Sequence, residues 1–590
     1  MKKCLCFALL FVSLARGQMP AVQHTPDVSN KALITTATPN LKPDKSGEAA
    51  ALHKLADDFY NWRNEQFPVA SSDAGLHTWD NRLTNYAPEQ IASRATHVRE
   101  LLQKVKAMKT ANWPKEERID WILFRSQLEG YAFDDRVWHS TSRDPQTYVS
   151  ECSNAIFSLL KKEYDTPEKR ARAATARLRA MPAMLAQGEK NLQQPVKLFA
   201  QLAIASARAI DPLFTDSLIT LAKNLPPNEH NSLVQSRDAA LRAIHDYADH
   251  LEKRLPSMPA FAPMGETNYN FYLHQVLLLP LDAAEVEMIG RVELAQYRAY
   301  EAWLSDPSLA NPDPSRSKSI PADQASFLKA YQGREAEMIQ FLKEHHLVTL
   351  PDYLGKFEIR QLPAAFKPTS PGGFMNPPGV YDKDSTGFYF IPTYSPHSPN
   401  FYIRAAIEDP RPILGHEGIP GHFLQLSIAN HLKDEIRRQN ANNLFIEGWA
   451  LYGEEMLLRE GLYPLDSASE GQVLRLARYR SARIGVDVNL HTGKWTFEQA
   501  VRYFMDAGGL DREAAEGEAA GAASSPTQKI SYIVGKWQIM QLLGRYRDKM
   551  STKFQLGQFH DDLISHGSLP VSILEWIMLE DPTDVEKALK

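Results

Sequence analysis

Residues 414–422 of this 590-residue chain, Leu-Gly-His-Glu-Gly-Ile-Pro-Gly-His, contain two histidines and a glutamate that directly follows the first of them. Histidines bind zinc as neutral imidazoles, and a glutamate beside a zinc ligand can polarise a metal-bound water. A second stretch, Ile-Glu-Gly-Trp-Ala-Leu-Tyr-Gly-Glu at 446–454, places Glu447 25 positions after His422. Because helical zinc peptidases often take a third ligand from the next helix, the two stretches predict one zinc ion per chain, bound by His416, His422 and Glu447.

The spacing of the two histidines departs from the usual H-E-x-x-H motif, in which they lie at i and i+4 on one helix face. Here Pro420 occupies position i+4, and the second histidine lies at i+6. Six residues at about 100° each amount to roughly 600°, so a straight helix would turn His422 away from His416. Proline and glycine interrupt helices. We therefore predict that Pro420 and Gly421 interrupt the helix and return His422 to the metal.

The glutamates near the predicted ligands have different expected roles. Glu417 is the predicted general base, which takes a proton from the attacking water and later delivers it to the leaving amine. Glu454 lies seven residues after Glu447, about two turns along the same helix face. It is a candidate to orient a ligand from behind or to serve as an alternative ligand. A solvated surface glutamate is equally compatible with the sequence at this position.

The two stretches, HEGIPGHFLQ at 416–425 and EGWALYGEE at 447–455, resemble the bacterial family labelled domain of unknown function 885. Members of this family resemble helical zinc peptidases of the gluzincin type. The resemblance extends through nearly the whole mature chain, and it implies a helical fold and a zinc-dependent peptidase activity. The further blocks that carry it are Phe67–Ala70 with Gly75–Leu83, Arg483–Asp487 with His491 and Trp495, Pro526–Gly535, and Gly567–Pro570.

Cleavage of a peptide bond builds negative charge on the former carbonyl oxygen, and helical zinc peptidases stabilise it with Tyr, His or Arg side chains. The blocks that resemble the family supply Tyr532, Arg483 and His491 as candidates. Arg483, Asp487 and His491 are spaced i, i+4, i+8 and would share one helix face. Asp487 could orient His491, and Arg483 could bind a substrate carboxylate. A buried ion pair with a capping histidine explains the same spacing equally well.

Composition and the N-terminus indicate a globular, exported chain. Charged residues make up 23% and hydrophobic residues 43% of the sequence, which provides ample material for a core. The net charge of −5 and the scattered basic residues do not indicate nucleic-acid binding. Residues 1–17 predict a signal peptide, because Lys2-Lys3 precedes the short apolar run Cys4–Ala15. We expect a periplasmic or secreted protein without stable membrane insertion. Cys4 and Cys6 would leave with the signal peptide, and we expect the remaining cysteine, Cys152, to lie in the core.

The rest of the chain predicts a mainly α, single-body enzyme with a deep cleft. Residues 18–48 are rich in Thr, Pro, Ser and Lys and predict a flexible leader. Apolar residues at helical spacing in residues 49–590 predict one helical domain, and the resemblance to the family implies that this domain is metallopeptidase-like. Within it, about 362–412, turn residues alternate with aromatic β-formers, which predicts a small sheet or hairpin. This element could bind an extended substrate along its edge or serve only as a connector, and the metal-site core should follow at about 413–535.

These features favour a zinc-dependent hydrolase that cleaves peptide bonds in short peptides. An amidohydrolase that acts on non-peptide amides would use the same residues, so only a substrate panel separates the two. A non-catalytic helical binding protein is disfavoured, because it would have no need for a general base at Glu417. The sequence leaves open the choice between exopeptidase and endopeptidase, the physiological substrate, the oligomeric state and the metal bound in vivo.

Overall fold

The computed structural model describes residues 47–305, 321–362, 372–398, 401–463 and 468–590. Helices account for 72% of the described residues and strands for 3%, so the predicted mainly α fold with a small sheet is confirmed. The predicted signal peptide and the predicted leader, as far as residue 46, lie outside the described residues. In the part of the chain that the structure describes, no helix is both long enough and apolar enough to cross a membrane.

The first half of the chain is almost entirely helical, as its apolar periodicity predicts. Leu178, Met181 and Leu185, which recur at helical spacing, are all buried on one long helix. The α-helices of this half are α1 (Gly47–Gln66), α2 (Pro68–Asp73), α3 (Pro88–Lys106), α4 (Lys115–Phe133), α5 (Ser140–Arg143), α6 (Gln146–Leu160), α7 (Pro167–Asn191), α8 (Lys197–Ala209), α9 (Leu218–Leu221), α10 (Pro227–Arg254), α11 (Glu266–Phe271), α12 (Ala283–Leu304) and α13 (Gln324–Glu344).

A three-stranded sheet follows, with the strands β1 (Phe357–Gln361), β2 (Phe374–Asn376) and β3 (Gly387–Ile391). The strand order is β1-β3-β2, and β3 runs parallel to β1 and antiparallel to β2. The strands extend from 357 to 391, so they begin and end earlier than the predicted stretch of about 362–412. The prediction missed the first strand because it followed turn residues and aromatic side chains. Residues 357–360 instead alternate apolar and charged side chains. The last part of the predicted range is helical from residue 401 onward.

All five residues of the central strand β3 are buried. Because successive side chains point to opposite sides of a sheet, β3 is covered on both faces. Tyr389 and Ile391 belong to the main apolar core, whereas Phe388 and Phe390 belong to a separate small cluster. On the inner side, the ring of Phe357 lies 5.0 Å from that of Phe423, which follows the second predicted histidine ligand. The sheet therefore packs directly against the histidine motif.

The second half of the chain is helical to its end. Its α-helices are α14 (Phe401–Glu408), α15 (Arg411–Glu417), α16 (His422–Asn430), α17 (Glu435–Arg438), α18 (Asn443–Arg459), α19 (Ala468–Thr492), α20 (Phe497–Gly508), α21 (Arg512–Ser524), α22 (Ser531–Met550), α23 (Leu556–Ser565), α24 (Val571–Leu579) and α25 (Thr583–Leu589).

Apolar packing connects the two halves. The main core combines Phe124 of α4, the inner face of the sheet, and Trp449 of α18. A second core lies largely among α6 to α10 and contains Cys152, whose burial confirms the predicted core position. A buried ion pair of 2.9 Å joins Lys162, just after α6, to Asp382 in the segment between β2 and β3. The sheet is thus fixed to the helices of the first half as well as to the histidine motif.

Two buried hydrogen bonds connect Tyr452, in the 446–454 stretch, through His560 to the backbone of Leu347. Nδ1 of His560 lies 2.6 Å from the carbonyl oxygen of Leu347, which can only accept, so Nδ1 carries the proton. Nε2 then accepts a hydrogen bond of 2.7 Å from the hydroxyl of Tyr452 on α18. Burial lowers the pKa of His560 to about 4, although the Leu347 carbonyl opposes this shift. A proton on Nε2 would remove the acceptor that Tyr452 uses.

This histidine should make the fold sensitive to acid. The unfolded chain protonates His560 below about pH 6.5, whereas the folded chain does so only near pH 4. Between these values, stability should fall by about 1.4 kcal/mol for each unit that the pH decreases. His560→Gln cannot bind this proton and should show a shallower decline in melting temperature. Melting curves by circular dichroism across this range measure the difference, and equal slopes for the two proteins would contradict the prediction.

Candidate metal site

The helix that carries the first histidine stops before it reaches the second. Helix α15 ends at Glu417, and α16 begins at His422, so the interruption predicted at Pro420 and Gly421 is present. The peptide bond between Ile419 and Pro420 is cis. The second histidine therefore begins a new helix, and its direction is independent of the rotation of α15.

Two contacts fix the loop between these helices. A Cβ atom on Gly421 would overlap with the carbonyl oxygen of His416, so the tight return of the chain requires glycine there. Nε1 of Trp449, on α18, donates a hydrogen bond of 2.8 Å to the carbonyl oxygen of Pro420. Trp449 therefore has a direct role in holding the loop.

The three predicted ligands meet around one point. Nε2 of His416 lies 3.5 Å and Nε2 of His422 lies 3.4 Å from Oε2 of Glu447. The centroids of the two imidazole rings are 4.7 Å apart. Only 3% of His416, 2% of His422 and 3% of Glu447 is exposed, so the cluster is recessed from the surface.

The arrangement fits the geometry of a small tetrahedral cation. Ligand bonds of about 2.0–2.1 Å give distances of roughly 3.3–3.5 Å between neighbouring donors of a tetrahedral zinc site. The distances to Glu447 match this range, and they are longer than ordinary hydrogen bonds. Burial tends to raise the pKa of Glu447, but the adjacent His416 and His422 outweigh it and hold this pKa well below its usual range. The group therefore offers an ionised carboxylate and two imidazole nitrogens, a donor set typical of zinc.

The outer nitrogen of His416 has charged partners. Its Nδ1 lies 2.7 Å from Oε1 of Glu454, and the same oxygen accepts a hydrogen bond of 2.7 Å from Arg480. Glu454 is 0% exposed, so its interpretation as a solvated surface residue is wrong. Burial and Arg480 lower the pKa of His416, but Glu447 and Glu454 outweigh them and raise it to about 9. Glu454 thus lies behind a predicted ligand, in the place from which it can orient the ring.

Glu417 lies at the end of α15, directly after His416, and 7% of it is exposed. Burial raises the pKa of its carboxyl group, and Glu447 adds to this effect while His416 and His422 oppose it. Within the described residues, the Glu417 carboxylate has no hydrogen-bond partner. It is therefore available to a water or a substrate in the site.

Tyr532, at the start of α22, also reaches the cluster. Its ring stacks on that of His416 with 6.2 Å between centroids, and its hydroxyl accepts a hydrogen bond of 3.1 Å from Gln528. Burial and the nearby Glu447 raise the pKa of Tyr532, so its hydroxyl is protonated at neutral pH. Because Gln528 donates, the phenolic proton can be given to another acceptor.

The structure does not bring Arg483 and His491 to the metal ligands. Arg483 donates a hydrogen bond of 3.0 Å to Tyr479 and forms an ion pair with Glu518. Its guanidinium also lies 5.2 Å from the centre of the Tyr532 ring. His491 is fully buried, and its Nε2 donates to the carbonyl oxygen of Ala522 at 2.9 Å. A role for Arg483 in binding a substrate carboxylate would require this carboxylate to replace Glu518.

Asp487, the residue between them, anchors the segment that precedes Tyr532. Its two oxygens accept hydrogen bonds of 3.0 Å from the backbone N–H groups of Thr527 and Lys529, and the hydroxyl of Tyr269 donates a third of 2.8 Å. Among the described residues no hydrogen bond joins Asp487 to His491, so the suggestion that Asp487 orients His491 is not supported, whereas the connection of Asp487 to the Tyr532 segment is direct.

Arg480 is the site residue that the sequence reasoning missed. It precedes Arg483 by three positions and lies on the same helix face. The helical spacing that singled out Arg483, Asp487 and His491 could have been extended one turn backward to find it.

Comparison with solved structures gives the fold a precedent. A proposed lipoprotein of unknown function from Shewanella oneidensis is 22% identical, with a TM-score of 0.70 and coverage of 90% of this chain and 100% of that chain. A proposed lipoprotein from Colwellia psychrerythraea is 18% identical, with a TM-score of 0.72 and coverage of 92% and 100%. At these identities the likeness shows the fold alone.

Comparison with curated proteins and protein families gives one assignment. No curated protein matches the chain. The family model described as "Bacterial protein of unknown function (DUF885)" matches residues 68–578. Because this match covers most of the 590 residues, the chain belongs to that family.

Proposed function

We propose that this protein is a zinc-dependent hydrolase, similar to the gluzincin-type peptidases, which cleaves peptide bonds in short peptides. The observation that carries the proposal is the convergence of His416, His422 and Glu447 on one point beside Glu417. Two imidazole nitrogens, each at a tetrahedral separation from the same carboxylate oxygen, form a three-ligand set that would leave one position open, as in catalytic zinc sites.

Zinc in this position would polarise the scissile carbonyl and acidify the attacking water. Glu417 would accept the proton of that water and deliver it to the nitrogen of the leaving amine. Its raised pKa makes it a stronger base than an ordinary surface glutamate, and its free oxygens can contact the water. A glutamine at this position could not take the proton, so the base role requires the carboxylate of Glu417.

Tyr532 would donate its phenolic proton in a hydrogen bond to the carbonyl oxygen as negative charge develops there. The Gln528 amide and the stacked His416 ring orient the phenol, and its raised pKa keeps the proton in place. A donor oriented before the reaction stabilises the transition state without reorganisation during the reaction.

The burial of the cluster supports short peptides rather than folded proteins as substrates. A scissile bond must reach donors that are almost entirely covered, which a short flexible chain can do more easily than a folded surface. An extended peptide could add to the sheet beside the motif. It would do so at β1 or β2, because β3 has strand neighbours on both sides.

The location is proposed on separate grounds. The predicted signal peptide favours export. The two structural relatives are described as proposed lipoproteins, and this description is compatible with an extracytoplasmic protein. We therefore propose a periplasmic or secreted peptidase.

Metal content is the first test. The purified protein should contain about one zinc ion per chain by elemental analysis. His422→Ala should lose the metal or bind it far more weakly, because one of three ligands is gone. The matched control is His431→Ala, which should keep its zinc. His422 is the first residue of α16, and His431 directly follows its last residue. Full zinc occupancy of His422→Ala after dialysis would contradict the ligand assignment.

Turnover tests the general base. Glu417→Gln should keep its zinc and its melting temperature but lose about 10²–10⁴-fold in kcat, because the amide cannot accept the proton. Glu408→Gln, an exposed glutamate on α14, controls for the substitution itself. Hydrolysis of a fluorogenic peptide measures both variants. A wild-type rate for Glu417→Gln would transfer the base role to another residue.

Substrate size tests the recessed site. We expect cleavage of short peptides and little cleavage of a folded globular protein under the same conditions. A graded peptide series, casein, a folded protein and a set of non-peptide amides should be offered to the enzyme and the products identified by mass spectrometry. Rapid internal cleavage of the folded protein would contradict the recessed site. Cleavage of the non-peptide amides alone would favour an amidohydrolase.

A further inference from the structure

Arg480 is buried behind His416, on the side away from the position where the three ligands converge. One of its nitrogens donates a hydrogen bond of 2.7 Å to Oε1 of Glu454, and the other lies 3.5 Å from Nδ1 of His416. Arg480 is 3% exposed and Glu454 is 0% exposed, so water does not replace these contacts. The guanidinium also lies 5.3 Å from the centre of the Tyr532 ring.

We propose that Arg480 is a positioning residue of the metal site, which acts by holding Glu454 so that Glu454 fixes the orientation of His416. This inference rests on the proposed function. A glutamate side chain has several rotatable bonds, and one contact with a ring nitrogen does not determine its position. The second contact, from the rigid guanidinium, determines where Oε1 lies. The Nδ1–H of His416 must then point to that oxygen, which leaves the lone pair of Nε2 directed at the metal position.

The two histidine ligands differ in this support. Nδ1 of His422 is buried and has no hydrogen-bond partner among the residues that the structure describes. Nδ1 of His416 has both Glu454 and Arg480 beside it. Charged side chains therefore support the ring of His416 but not that of His422. Substitution of Arg480 should accordingly lower the affinity for the metal.

Arg483 provides a matched control on the same helix. It lies three residues after Arg480, is equally buried, and has its guanidinium at nearly the same distance from the Tyr532 ring, 5.2 Å against 5.3 Å. Its carboxylate partner is Glu518 rather than Glu454. If general packing or positive charge mattered, substitution of either arginine would lower zinc affinity. If ligand orientation matters, only substitution of Arg480 should lower it.

The experiment compares Arg480→Lys with Arg483→Lys in the full chain. Both substitutions keep the charge, but an ammonium cannot contact Glu454 and approach His416 with the fixed fork of a guanidinium. Zinc affinity, measured by competition with a chromogenic chelator, should fall about tenfold in Arg480→Lys, the lower end of the effect of residues that support ligands. It should stay within about twofold in Arg483→Lys. The visible spectrum of the cobalt-loaded protein, which reports ligand geometry, should change only in Arg480→Lys.

A second substitution tests whether Arg480 acts through Glu454. Glu454→Gln should itself weaken zinc binding, and Arg480→Lys should cause no further loss in that background. Should Arg480→Lys fail to fold, Arg480→Gln and Arg483→Gln give the same comparison with equal changes of charge.

The possible outcomes separate the two proposals. Wild-type zinc affinity in Arg480→Lys, an equal loss in Arg483→Lys, or additive losses with Glu454→Gln would overturn the positioning role while the zinc site stands. If the unsubstituted protein binds no zinc, the proposed function fails, and the positioning role fails with it.

Discussion

The site depends on a close contact between two helix backbones. A Cβ atom on Gly535 of α22 would overlap with the carbonyl oxygen of Leu444 on α18, and one on Gly448 would overlap with the backbone of Gly535. Only glycine allows two helices to approach this closely. The contact lies one residue from Glu447 and three residues from Tyr532, so it sets the distance between the proposed carboxylate ligand and the proposed oxyanion donor. A side chain at either glycine would separate them.

Helix α18 then reaches all three proposed ligands. It supplies Glu447 directly, and its Glu454, two turns later, contacts His416 from behind. Its Trp449 donates to the carbonyl oxygen of Pro420, in the loop that directs His422. The unusual spacing of the histidines is explained by this arrangement. The direction of His422 comes from a loop fixed to α18, and the helical repeat of α15 therefore does not have to place it.

The sequence predicted the parts of this site that obey local rules. The donors His416, His422 and Glu447 follow from residue type and spacing, and the interruption at Pro420 follows from the backbone chemistry of proline. Glu454 could be placed on the right helix face, but its partner could not be named. Arg480 was missed and Arg483 preferred because one turn of helix separates them, and only the packing of α19 decides which of the two faces Glu454. The start of β1 was missed because the prediction followed turn residues and aromatic side chains, although Phe357–Arg360 alternates apolar and charged residues as a half-buried strand does.

The charges of the site favour a cation as its occupant. Glu417, Glu447 and Glu454 are all buried near one another, and taking carboxylates out of water is costly unless opposite charge compensates. Arg480 forms an ion pair with Glu454 on the outer side of His416, so its charge compensates that carboxylate there. On the inner side, Glu447 and Glu417 face the imidazole rings, whose ring nitrogens are donors to a metal when neutral. A divalent cation bound by both imidazoles and Glu447 would compensate the carboxylates on that side, and Glu417 would remain the carboxylate without a metal bond, free to act as a base.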